Sequence, residues 1–138
     1  MGVEYLRPYA IYDRRLWRVK GDLLTYILLH NPGCGSSKKG LALLEENGVQ
    51  PEIRKYATEA GKLSLDEIRQ LAKKMGDVSP RVFMREKEAV KIGLAETASD
   101  EEVFAAMAEH PKLIQRPIGI NGNKAILGRP NARLLDIA

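Results

Sequence analysis

Cysteine is almost missing from this chain: there is one, Cys34. A lone thiol cannot close an internal disulfide, so no oxidative framework holds the fold. One cysteine and two histidines are also too few for a structural zinc site, and no bound cofactor or metal is expected. No apolar run approaches the roughly 18 residues that a membrane helix needs. Arg and Asp interrupt the N-terminus where a signal peptide would carry its apolar core. These absences point to the cytoplasm and to no membrane partner. Charge of one sign is lacking too: 22 Lys and Arg stand against 18 Asp and Glu, a net charge of +4. That mild basic bias suits an anionic ligand, and equally a solvated surface with some excess lysine.

What remains is ordinary for a globular protein. The chain has 138 residues, 44% of them hydrophobic and 29% charged. That length points to one domain able to bury a core without staples. Residues 1–22 differ in character. Arg7, Arg14, Arg15, Arg18 and Lys20 are interleaved with Tyr5, Tyr9, Tyr12 and Trp17. Stacking aromatics among cations also occur in nucleic-acid-binding arms. A peripheral extension or an overlong start is the simpler reading, so no nucleic-acid partner is expected.

The domain proper is expected over residues 23–138. Leu24-Thr25-Tyr26-Ile27-Leu28-Leu29 is a short apolar run of the kind found in a strand buried on both faces. His30-Asn31-Pro32-Gly33 ends it with loop chemistry. A helix follows from Gly35–Ser37 onward, closed by Asn47-Gly48. Pro51–Tyr56 is a second, weakly patterned strand. From about 57 to 115 the pattern is helical. Ser64-x-x-Glu67 and Ser99-x-x-Glu102 are capping boxes, and Ser79-Pro80 is a further helix start. Asn121-Gly122-Asn123-Lys124 between Ile118-Gly119-Ile120 and Ala125-Ile126-Leu127 signals a hairpin. Asn131–Ala138 is a short terminal helix. The order implies an α/β protein: a mixed sheet covered by helices, with a helical insertion between the second strand and the hairpin.

Cys34 falls between the buried strand and the first helix. The first N–H groups of a helix lack intrahelical acceptors and carry the positive end of its dipole. A thiolate there is stabilised, and the same N–H groups can hold an oxyanion. A free cysteine is commonly an inert core residue. Here Pro32-Gly33 before it and Gly35-Ser36-Ser37 after it describe an exposed turn, which favours a nucleophile. Gly35 would let the backbone come close. Ser37 could donate to the sulfur or cap the helix. His30 is either a cation beside the thiol or a satisfied histidine at a strand end. Ser37 stands where a second cysteine would complete C-x-x-C, so the chain cannot form a dithiol of its own.

Three arginines stand at turns or element ends: Arg85, Arg116 and Arg129. A guanidinium is permanently charged and grips a tetrahedral oxyanion through paired N–H donors. Each alone could be a surface or capping residue; only the fold can bring them to Cys34. Arg116-Pro117-Ile118 carries a proline entering a sheet, which fits an edge position or a cis bond.

His30-Asn31-Pro32-x-Cys34-x-x-Ser37, Leu94-Ala95, His110-Pro111-x-Leu113-Ile114-x-Arg116-Pro117-Ile118 and Gly128-Arg129-Pro130 together resemble the glutaredoxin-linked arsenate reductases (ArsC/Spx family) from about Tyr26 to Ile137. The resemblance implies a thioredoxin-like fold with a four-stranded mixed sheet and helices on both faces. It implies that Cys34 attacks arsenate, that Arg85, Arg116 and Arg129 bind the oxyanion, that His30 and Ser37 promote the thiolate, and that Pro117 is the cis-proline facing the cysteine. It further implies glutathione as co-substrate and glutaredoxin as the external reductant. Two alternatives stand beside it. One is an Spx-like regulator of RNA polymerase, against which the missing second cysteine argues. The other is a same-fold reductase for a different oxyanion or thiol substrate.

Overall fold

The structure is a computed structural model, and it describes residues 25–138. The reading of residues 1–22, and the expected domain start at Leu23, lie outside the described residues.

Among the described residues, four strands form one sheet: β1 (Tyr26–Leu29), β2 (Glu52–Arg54), β3 (Ile118–Asn121) and β4 (Lys124–Leu127), in the order β2-β1-β3-β4. β1 and β2 run parallel, and β1–β3 and β3–β4 run antiparallel. The parallel pair requires a crossover, supplied by helix α1 (Gly35–Glu46). The insertion holds α2 (Leu65–Lys74), α3 (Glu86–Lys91) and α4 (Asp100–Glu109), with short 3₁₀ turns at Pro80–Phe83 and Pro111–Leu113. Both expected capping boxes are formed, on α2 and α4. The helix expected from Ser79-Pro80 is only a 3₁₀ turn. The terminal helix is 3₁₀ as well, over Asn131–Ile137.

β1 shows why its sequence is apolar throughout. Tyr26 and Leu28 face one side, where they pack with Leu44 of α1 and Leu134. Leu29 faces the other side and joins a larger core with Ile68, Leu71, Val103, Met107 and Ile118. Helices therefore cover both faces, and Leu28, Leu29, Ile68 and Ile118 are fully buried. Burying each such side chain stabilises the fold by about 1.5–3 kcal/mol. The weak patterning of the second strand is explained by its place: β2 is three residues long at the sheet edge, and Ile53 stays exposed.

The hairpin turn consists of Gly122 and Asn123, since Asn121 pairs with Lys124. Gly122 takes φ +63°, at the first central position, where a two-residue hairpin of type II′ demands a glycine. No helix among the described residues is long and apolar enough to cross a membrane.

Candidate active site

The end of β1 delivers the chain to Cys34 through a turn tied down at each step. The His30 N–H donates to the Arg54 carbonyl at 3.0 Å, extending the parallel pairing beyond the strand. The Asn31 side-chain oxygen accepts from the Gly33 N–H at 2.9 Å, and the Asn31 carbonyl accepts from the Cys34 N–H at 2.9 Å. The Asn31 N–H donates to Ser37 Oγ at 3.0 Å. Ser37 is fully buried, so its hydroxyl locks the turn against the first turn of α1.

Cys34 is the N-cap of α1 and partly exposed. No side-chain cap serves this helix and its first turn carries no acid, so no carboxylate competes for the amide groups. Burial would push the Cys34 thiol up, but the Arg116 guanidinium and the backbone N–H groups of Ser37 and Ser36 outweigh it and bring the thiol down to about 7. The sulfur is therefore substantially ionised near neutral pH. Ser37 contributes through its backbone, while its hydroxyl accepts from Asn31.

Arg116 is the arginine that acts on the sulfur. Its guanidinium also acts on the phenol of Tyr56. Its Nε is buried with no hydrogen-bond partner in the protein. The strand-like segment carrying it is braced from the insertion. The Gln115 N–H donates to the Phe83 carbonyl at 2.8 Å, the Arg85 N–H to the Leu113 carbonyl at 2.8 Å, and Met84 bridges Ile114. Arg129 is tied to the same segment, its Nε donating to the Arg116 carbonyl at 2.9 Å. Arg85 caps α3 and rests on the Lys112 carbonyl at 3.1 Å and on Glu88 at 3.7 Å. Its charge reaches Tyr56. Of the three arginines, Arg116 alone acts on the sulfur; Arg129 is tied to the Arg116 backbone, and the Arg85 charge reaches Tyr56.

The supporting residues divide. The Arg116–Pro117 peptide is cis, and so is Arg129–Pro130. Pro117 packs on α1 at Gly40, where an added Cβ would lie 3.0 Å from Pro117 Cγ. Asn131, not singled out in the sequence, ties this end together: its side-chain nitrogen donates to the Ser36 carbonyl at 3.2 Å and the Gly128 carbonyl at 2.9 Å. His30 is buried with Nδ1 unpartnered. Burial and the nearby Lys55 lower its pKa, which favours the neutral ring over the cation. Gly35 makes no close approach within the protein; a Cβ there would meet nothing within 4 Å. Tyr56, expected only as the end of the second strand, lies in a turn beyond β2, and a tyrosine in a polar turn carries no pattern that points to a site.

Fold and site define a thioredoxin-like protein with one activated cysteine at a strand–helix junction. The ArsC family model matches residues 29–137. An arsenate reductase of Haemophilus influenzae is 41% identical over 117 residues, covering 83% of this chain and 99% of that protein. An arsenate reductase of Rhizobium meliloti is 34% identical over 117 residues, 83% of this chain and 81% of that protein. The solved structure of an arsenate reductase from Vibrio cholerae superimposes with a TM-score of 0.73 at 37% identity, over 83% of this chain and 98% of that one. The chain belongs to the ArsC family.

Proposed function

We propose that this protein reduces arsenate to arsenite, with Cys34 as nucleophile and glutathione and glutaredoxin as the external reductants. The observation that carries the reading is the place of Cys34, partly exposed at the uncapped N-terminus of α1, where the helix amide groups and the Arg116 guanidinium draw its thiol below the ordinary value. A group that stabilises a thiolate also attracts a tetrahedral oxyanion to it. Family membership and the names of the relatives supply the substrate.

In this mechanism arsenate docks against Arg116, flanked by Arg85 and Arg129, which offset its charge and place arsenic beside the sulfur. The Cys34 thiolate forms a sulfur–arsenic bond and hydroxide leaves, taking up a proton as water. Glutathione thiolate then attacks the Cys34 sulfur. The sulfur–arsenic bonding pair stays on arsenic, which goes from the pentavalent to the trivalent state as the two thiols are oxidised to one mixed disulfide. Glutaredoxin removes the glutathione by thiol exchange and restores Cys34. An outside thiol is required because the chain has no second cysteine.

The test is arsenate-dependent NADPH oxidation in the presence of glutathione, glutaredoxin and glutathione reductase, each omitted in turn. Turnover that requires arsenate and every thiol component supports the reading. No arsenate dependence, with all components active, overturns it.

A further inference from the structure

We infer that Tyr56 is a positioning residue for Arg116: its buried phenol anchors the backbone that carries Arg116 and stands beside the guanidinium, and so sets how that cation meets the Cys34 sulfur. The inference rests on the proposed oxyanion site but concerns a side chain with no part in the chemistry written for it.

Four observations lead to it. Tyr56 is fully buried, among the largest side chains in the core, yet it sits just past the edge strand β2 at the end of the sheet where Cys34 lies. Its hydroxyl donates to the Ile114 carbonyl at 2.8 Å, two residues before Arg116. That leaves the phenol oxygen with lone pairs to offer, and the Arg116 charge acts on it. Arg116 otherwise has little to hold its head, since Nε is buried without a partner in the protein. The charged groups that act on Tyr56 are Arg116, Arg85 and Cys34, so the phenol stands where the site's charges meet.

A core tyrosine needs one partner for its hydroxyl, and Ile114 already supplies it. The second interaction is what a merely structural role does not require. A flexible guanidinium loses rotamer freedom when it is held in one geometry. A rigid buried oxygen beside it, on a backbone anchored two residues away, favours one arrangement before any oxyanion arrives, which is preorganisation. The phenol is suited to this because burial pushes its pKa up to about 12, so it stays neutral and does not compete with the thiolate as an anion.

The experiment is Tyr56→Phe in the full chain, which keeps the ring and removes only the oxygen. The rate of Cys34 alkylation by iodoacetamide is followed against pH, without arsenate, so the result does not depend on the proposed substrate. The expected midpoint rises by about half a unit or more. In the arsenate assay KM should rise by about fivefold while kcat changes by less than about twofold. In an Arg116→Ala background the same substitution should move the thiol midpoint no further, because the group through which it acts is gone. A Tyr56→Phe protein that is folded by circular dichroism, with a thiol profile superimposed on the parent's, overturns the inference. So does an equal shift in the presence and absence of Arg116. If Tyr56→Phe fails to fold, the Tyr56 Cζ resonance of the ¹³C-tyrosine-labelled parent decides: it must move on Arg116→Ala, and a stationary resonance overturns the inference. Failure of arsenate turnover in the parent counts against the proposed substrate and leaves the thiol test intact.

Discussion

Arg129 is fastened to the backbone of Arg116, its Nε donating to the Arg116 carbonyl at 2.9 Å. The bond fixes the start of one guanidinium to the residue that carries another, and so sets the spacing of two cations before any anion binds. It also uses Nε, which leaves the terminal nitrogens as the donors for a ligand. Arg129→Lys keeps the charge and loses this fork geometry. We expect KM for arsenate to rise by about tenfold, read by steady-state kinetics, with a smaller change in the Cys34 titration than any Arg116 substitution gives.

Arg116→Ala removes the cation at the sulfur. Burial raises the thiol pKa and the guanidinium lowers it, so its loss should move the midpoint up from about 7. The expected rise is about one unit or more, measured by alkylation rate. An unchanged profile would show that the α1 amide groups suffice alone.

Ser37→Ala separates two roles. The backbone N–H that faces the sulfur remains, whereas the acceptor for the Asn31 N–H is lost in a fully buried position. Stability should fall by about 1–2 kcal/mol, measured by urea unfolding. The thiol midpoint should move less than in Arg116→Ala. A larger thiol shift than that would assign the hydroxyl a direct role at the sulfur.

Glu67 offers a pH test away from the site. Arg54 holds its carboxylate at 2.8 Å and also donates to the Gly61 and Lys62 carbonyls, and the Ser64 N–H adds a further donor. The side-chain hydrogen bond from Arg54 leads in lowering the Glu67 pKa from 4.5 to about 2, against an opposing effect of burial. A carboxyl group whose pKa is depressed on folding stabilises the native state fully above its unfolded value, and that contribution fades as pH falls from about 4.5 toward 2. The pair is partly solvated, so Glu67→Gln should cost only about 1 kcal/mol at neutral pH. The difference from the parent should shrink through that acid range in denaturant titrations. A constant difference would remove the charge from the explanation.

How much of this could be read from the sequence depends on whether the signal was local. β1 was legible because both of its faces are buried, so an apolar run sufficed. The two capping boxes were legible because the interacting groups lie three residues apart. Cys34 was legible because the turn chemistry of Pro32-Gly33 and Ser36-Ser37 is written around it. The length of the Pro80 turn was not, since a proline marks a start and says nothing of where the turn stops. The arginines were identifiable as residue types but not by their surroundings: 31 positions separate Arg85 from Arg116, and only the insertion pairing with the 113–115 segment ties the Arg85 backbone to the stretch that leads into Arg116. Tyr56 and Asn131 left no trace, because each acts through contacts to residues about 60 to 95 positions away. The protonation of His30 was undecided in the sequence, and it turns on burial and on Lys55, neither of which motif reading supplies.

The most direct measurement is the pH dependence of Cys34 alkylation in the unmodified protein. Half-maximal reactivity near pH 7 is the expected result. A midpoint at or above the free-cysteine value of about 8.5 would mean that neither the helix amides nor Arg116 holds the sulfur as an anion, and the proposed nucleophile would have no basis.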